Sequence, residues 1–235
     1  MFLSGTLLNA ATVLIGGLLG TLLGDRLSER LRENLVNGVG LFTIVMGVKF
    51  SLQTGNLLIL LGSVLLGGAI GTQAGIERRL NHLGAQLQRR LGRGEGTVAE
   101  GLVTATIVFC VGPLTFLGSI QNGLSGDATL LTIKSVLDGF TAIALAATLG
   151  WGVLLAIPVI LVYQGSLATG AATFSGLLSS DQLSEMNAVG GLLILGVGLR
   201  LLRIRDVAVA DFLPAILVAP FLLQAVAIFK EALAR

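Results

Sequence analysis

Apolar residues along the chain fall into eight runs, near 6–24, 35–52, 56–75, 98–118, 128–149, 151–168, 187–203 and 207–229. Each is close to the roughly twenty residues that a helix needs to cross the hydrocarbon layer. The pattern predicts an all-α, polytopic membrane bundle of about eight transmembrane helices. The fifth and sixth runs are the least separated, since only Gly150, Trp151 and Gly152 lie between them. The first run follows Met1-Phe2-Leu3-Ser4-Gly5 with no basic residue and is longer than a usual signal core. It is predicted as a retained span.

The polar breaks between these runs are not equivalent. Eleven of the fifteen basic residues fall in the segments 25–34, 76–97 and 199–206, whereas 53–55, 119–127 and 169–186 contain neither Lys nor Arg. Eight spans with an external N-terminus bring all three Arg-rich segments to the cytoplasmic side, as the positive-inside rule requires. Dropping the fifth or sixth span breaks that agreement. Both termini then lie outside, and Lys230 and Arg235 are a mild departure.

Composition fits a chain whose solvent is the bilayer. Apolar residues make up 54%, charged residues 12%, and the mean hydropathy is +0.91, too apolar for a soluble domain of this length. The net charge of +2 is what remains of the loop asymmetry and implies no nucleic acid. The one cysteine, Cys110, lies in an apolar run, so no intrachain disulfide is possible. The one histidine, His82, lacks the partners of a metal site. It falls in the longest polar stretch, where Ile76, Leu80, Leu83, Leu87 and Leu91 recur at helical spacing opposite Arg78, Asn81 and Arg89. That stretch reads as a basic amphipathic helix on the cytoplasmic interface, either a plain topology anchor or a sensor of anionic lipid.

Glycine patterning suggests how the helices pack. Gly16, Gly20 and Gly24 in the first span, and Gly67, Gly71 and Gly75 in the third, repeat every four residues. Each series puts a flat stripe on one helix face, for contact within the subunit or across a homodimer. Gly40-Leu41-Phe42 with Gly47-Val48-Lys49 also matches Gly191-Leu192-Leu193 with Gly198-Leu199-Arg200 at a constant offset of 151. In the assigned topology this is an inverted repeat pairing spans one to three with six to eight, as in many secondary transporters. Chance similarity of Gly- and Leu-rich helices is the alternative. One transmembrane domain over 1–235 is expected, with repeat-like halves at 1–75 and 150–235, the amphipathic segment at 76–97 and central spans at 98–149.

Candidate chemistry concentrates between residues 100 and 165. Pro113 removes a backbone donor and Gly112 lowers the cost of bending, so a kink or break is predicted in the fourth span. Carbonyls freed at membrane depth must face protein, water or a ligand, although proline kinks also serve as pure packing devices. A polar loop follows, with Gln121 and Asn122, and then Lys134, Ser135 and Asp138 early in the fifth span. Lys134 and Asp138 are four apart on one helix face and can pair. Charges at that depth usually face a bundle interior or a water-filled cavity. A neutralised pair that only fixes helix rotation is the competing reading. Asn9, Tyr163 and Gln164 are further polar groups able to line the same cavity.

These residues also carry a resemblance. Phe109-Cys110-Val111-Gly112, the stretch from Gly118-Ser119 to Gly123, Lys134-Ser135-Val136-Leu137-Asp138-Gly139, Tyr163-Gln164-Gly165 and Leu213-Pro214-Ala215 resemble the bacterial membrane proteins grouped as domain of unknown function 554, of the YqgA and YdfK type. The similarity covers nearly the whole chain. It implies a polytopic protein of the bacterial inner membrane and carries no settled activity, and Pro113 stands as a local departure.

The expected function is a small secondary transporter or permease of an ion or small solute. Asp138 would carry the ion or proton, Lys134 would set its charge state, and Gln121, Asn122 and the broken fourth span would shape the site. A non-transporting scaffold or regulatory subunit is the alternative, and a channel is third. No nucleophile and base constellation, zinc-protease signature or phosphate loop is found, so neither an enzyme nor a cofactor is expected.

Overall fold

Where lipid offers no hydrogen bonds, a crossing segment must satisfy its own backbone, and long apolar runs therefore fold as helices. The computed structural model describes residues 3–24, 26, 28–79, 81–82, 86, 98–110, 113–171 and 179–233, and among these there is no strand. The helices are α1 (Ser4–Gly24), α2 (Glu29–Ser51), α3 (Leu57–Ala74), α4 (Val98–Cys110), α5 (Pro113–Ser125), α6 (Thr129–Leu149), α7 (Ala156–Thr169), α8 (Ser180–Leu201) and α9 (Pro214–Leu233). Short 3-10 segments at Gly150–Leu155 and Val209–Phe212 precede α7 and α9. Five helical stretches are long and apolar enough to cross a membrane, and Gly40–Ser51 and Val98–Cys110 are shorter apolar helices. Most of the amphipathic segment 76–97, and Gly112, lie outside the described residues. His82 meets Gln86 at 2.8 Å.

The two spans that the sequence barely separates form one stretch of 41 residues, Thr129–Thr169. Its chain reverses inside that stretch. Gly24 packs on Ala147, but Gly17, two turns earlier on α1, packs on Leu154. Gly150 has φ +74°, a left-handed conformation that costs glycine little, and the turn begins there.

Glycines set the closest helix contacts. Gly16, Gly20 and Gly24 lie against Gly139, Ile143 and Ala147, a constant step that makes α1 and α6 parallel neighbours. Gly67 and Gly71 lie against Ala215 and Asp211, which makes α3 antiparallel to the start of α9, and Gly75 caps α3 at φ +62°. Both glycine ladders are thus covered within the chain. Gly47 and Gly40 of α2 face Gly191 and Gly198 of α8, so this antiparallel pair touches across the four glycines that the offset of 151 relates. A Cβ on Gly47 would lie 2.6 Å from the Leu195 nitrogen and 2.8 Å from the Gly191 oxygen, both backbone atoms that cannot swing aside. Gly47→Val should therefore lower the thermal midpoint in detergent by the cost of overpacking, roughly 1–3 kcal/mol or more. Gly38→Ala, where nothing lies within 4 Å, should be neutral or slightly stabilising. Equal midpoints for the two variants would contradict this packing.

The contacts also sort the loops. Gly40, midway along α2, meets Leu201 and Leu202 at the end of α8, so residues 29–39 extend past that end, and Arg200 bonds Glu77 just after α3 at 2.8 Å. The described parts of the three Arg-rich segments therefore lie toward one end of the bundle. Ser4, Asn122, the 54–56 loop and Glu185 lie toward the opposite end, joined by Asn122 to Ser4 and by Glu185 to the loop.

Candidate functional site

On α6, Leu131, Lys134, Ser135, Asp138 and Ala142 recur at spacings of three and four, so all five share the buried face that packs on α1. The ion pair that the spacing predicts is formed: the Lys134 ammonium donates to the Asp138 carboxylate. The two residues are only 5% and 7% exposed, so the pair is held away from the bundle surface. From α1, Asn9 is fully buried beside the Asp138 carboxyl, but neither of its amide atoms makes a hydrogen bond of good geometry. The Thr6 hydroxyl and both amide atoms of Gln164 on α7 are likewise buried without a partner among the described residues. A buried polar group left unpaired costs about 1–3 kcal/mol. Each of these side chains, two on α1 and one on α7, is a point at which water, an ion or a polar solute would gain hydrogen bonds.

Three hydroxyls of the neighbouring helices are already used. The fourth span is two helices, one ending at Cys110 and the next beginning at Pro113, a residue suited to the first helical turn. The Phe109 carbonyl, freed by that interruption, accepts from the Thr115 hydroxyl at 3.2 Å. Ser119 and Ser135 donate back to the carbonyls four residues earlier, both at 2.6 Å.

Gln121 and Asn122 part company, as neighbours on a helix do. Asn122 is buried and clamps the start of α1, accepting from the Gly5 amide at 3.2 Å and donating to the Ser4 hydroxyl at 3.3 Å. Gln121 turns outward and donates to Asp127 at 2.7 Å, so it belongs to the loop and not to the buried cluster. Asp127 accepts from the Thr129 hydroxyl and amide at the start of α6, at 2.6 and 2.9 Å. Those bonds hold its carboxyl below the usual carboxylate range. A lowered native value means that the loop is secured at neutral pH and loosens as pH falls through that value. Amide exchange at 127–129 should quicken in the wild type only as pH falls below the ordinary aspartate value of 3.8, and should be fast and independent of pH over that range in Asp127→Asn, once intrinsic rates are allowed for.

Tyr163 and Gln164 diverge in the same way. Gln164 enters the packed interior, whereas Tyr163 lines a cavity of about 440 Å³ among α4, α5, α7, α8 and α9. Cys110 lines that cavity too and lies within electrostatic reach of Lys134 and Asp138. Lys134, Ser135, Asp138 and Asn9 thus form the buried polar centre, Gln164 is a separate buried amide on α7, and Tyr163 lines the cavity. No group of three His, Cys, Asp or Glu with metal-site geometry occurs among the described residues.

Two carboxylates escape a reading of the sequence. Glu185, 2% exposed, accepts from Thr54, Gly55 and Asn56 at the opposite end. Glu77 accepts from the Ala210 amide and from Arg200, which also faces Asp206 at 3.2 Å and Glu100 at 3.9 Å. Their partners lie more than 120 residues away in sequence, so local spacing carries no signal for either.

Comparison with known proteins places these features in a family. The family model described as "Protein of unknown function (DUF554)" matches residues 4–224. The chain is 30% identical over 220 residues to "Uncharacterized membrane protein YdfK" of Bacillus subtilis (strain 168), covering 92% of this chain and 93% of that protein. It is 34% identical over 221 residues to "Uncharacterized protein YqgA" of Escherichia coli (strain K12), covering 92% and 94%. No solved structure matches the chain.

Proposed function

The chain belongs to the membrane-protein family described as protein of unknown function DUF554, and from that premise we propose that it is a small secondary transporter or permease of an ion or small solute in the bacterial inner membrane. The observation that carries this reading is the buried Lys134–Asp138 pair with Asn9 beside it and unpaired amides on α1 and α7. A carboxylate that must take up and release an ion or proton needs a countercharge to hold it ionised at depth and polar groups to receive what it binds. Lys134 supplies the first, and Asn9 the second. The role is transport rather than catalysis. Uptake into proteoliposomes across a panel of ions and small metabolites tests it, with Asp138→Asn as the control; no uptake of any of them would count against it.

The reading includes eight crossings, an inverted repeat that relates spans one to three to spans six to eight, and the Arg-rich end in the cytoplasm. The meeting of Arg200 at the end of α8 with Glu77 just after α3, on the side past which the first half of α2 extends, favours this orientation. In a Cys110→Ser background, a cysteine at Ser125 should react with an impermeant maleimide from outside the cell and one at Arg79 should not. The reverse pattern would overturn the orientation.

A scaffold or regulatory subunit is the second reading, and the pairing of Lys134 with Asp138 favours it: a pair closed on itself can lock helix rotation without carrying anything.

A further inference from the structure

We propose that the cavity among α4, α5, α7, α8 and α9 binds a small neutral amphiphile, an aliphatic or aromatic body that ends in one hydroxyl-type group. The inference stands on the cavity alone; that the bound molecule is also transported rests on the reading above.

At about 440 Å³ the cavity falls within the range of small-molecule sites. Its walls are chiefly apolar, with Ile107, Phe116, Leu167, Met186 and Ile216 among them, and no charged side chain lines it among the described residues. An ion or zwitterion would lose its hydration there and find no opposite charge, so the site selects neutral ligands. An apolar body is favoured because it leaves water and meets matching walls.

Thr106, Tyr163, Ser166 and Asn187 are the polar side chains of the lining. The Ser166 hydroxyl is committed to the Tyr163 carbonyl at 2.8 Å, and the Thr106 hydroxyl is buried in the wall with no partner among the described residues, the group that a ligand hydroxyl would satisfy. Thr106 is eight residues into α4, roughly 12 Å along a helix and so close to the bilayer midplane. A phospholipid keeps its polar groups at the interface and offers only acyl chain at that depth. A small alcohol can bring its hydroxyl to Thr106 and bury its body among the apolar walls.

The test uses the full chain in nanodiscs and an octanol that carries a diazirine. After irradiation, saturable adducts should map to cavity residues such as Cys110, Tyr163 and Met186, and excess 1-octanol should remove them. Met186→Trp fills the cavity and Ser166→Trp blocks its exposed edge, so each should lose most of the saturable label; agreement of the two guards against misfolding of either. Octanol should compete better than octane by about fivefold, the value of one ordinary hydrogen bond, and Thr106→Val should erase that difference. Asp138→Asn should label like the wild type even if its uptake is lost, which separates failure of this site from failure of the transport reading. Label spread without saturation over the exposed faces of α3 and α9, at Leu61, Leu65 and Phe221, would overturn the proposal, as would octane competing as well as octanol.

Discussion

Asp138→Asn is expected to abolish solute uptake while shifting the thermal midpoint in detergent by only a few degrees. The substitution keeps the side-chain shape and removes the one carboxylate in the buried polar centre. Lys134 then loses its countercharge, and if it had to stay charged the cost would be that of breaking a buried pair, roughly 3–5 kcal/mol. At about 2–4 °C per kcal/mol for a chain of this size, that loss would be conspicuous. The cost falls where water or a polar neighbour can reach the orphaned ammonium, and the unpartnered Asn9 amide beside the pair, with the Thr6 hydroxyl on the same helix, offers such a place. Lys134→Met should be similarly tolerated, because the same polar neighbours can serve the Asp138 carboxyl. Thermal midpoints of both single variants and the double variant, beside uptake, decide between transport and a lock. A large loss in each single variant with recovery in the double is the signature of a lock and would remove the main support for transport.

What could be read from the sequence follows from the range of the interactions involved. Apolar runs and the Arg-rich segments report the bilayer directly, so the helices and the end at which the basic segments meet were legible. The glycine ladders were legible as stripes, although their partners were not: Gly16 and Gly139, or Gly71 and Asp211, are joined only once the chain has folded. Lys134 and Asp138 were legible because they are one turn apart. Gln121 and Asn122 were not separable, because a rotation of about 100° per residue sends one outward and one inward, and only the packing of α5 on α1 decides which. The same rotation sends Tyr163 to a cavity and Gln164 to the interior. Glu77 and Glu185 were invisible for another reason. Each accepts from backbone amides of a distant loop, and a backbone amide has no residue type by which a sequence could announce it.

Glu185 gives the second large effect, and the order of two variants tests its geometry. One carboxylate oxygen accepts from the Gly55 and Asn56 amides at 2.8 and 3.1 Å, and the other accepts from the Thr54 hydroxyl at 2.8 Å. These donors precede α3, whose Asn56 cap also accepts from Leu58, so the carboxylate sits at the positive end of that helix. Glu185→Ala strips three donors of a charged acceptor at once. With net values of about 1.5–3 kcal/mol for each charge-assisted bond, and water able to enter at the half-buried loop, a loss of roughly 3–5 kcal/mol is expected. Glu185→Gln should cost much less, about 1 kcal/mol, because its oxygen can keep both backbone amides and its amino group can donate to a rotated Thr54 hydroxyl. Thermal midpoints in detergent should therefore fall in the order wild type, Glu185→Gln, Glu185→Ala, with faster amide exchange at 54–57 in the last. If Glu185→Gln falls as far as Glu185→Ala, the negative charge and not the hydrogen-bond pattern holds the loop, and if neither falls, the loop is held to α8 by other contacts.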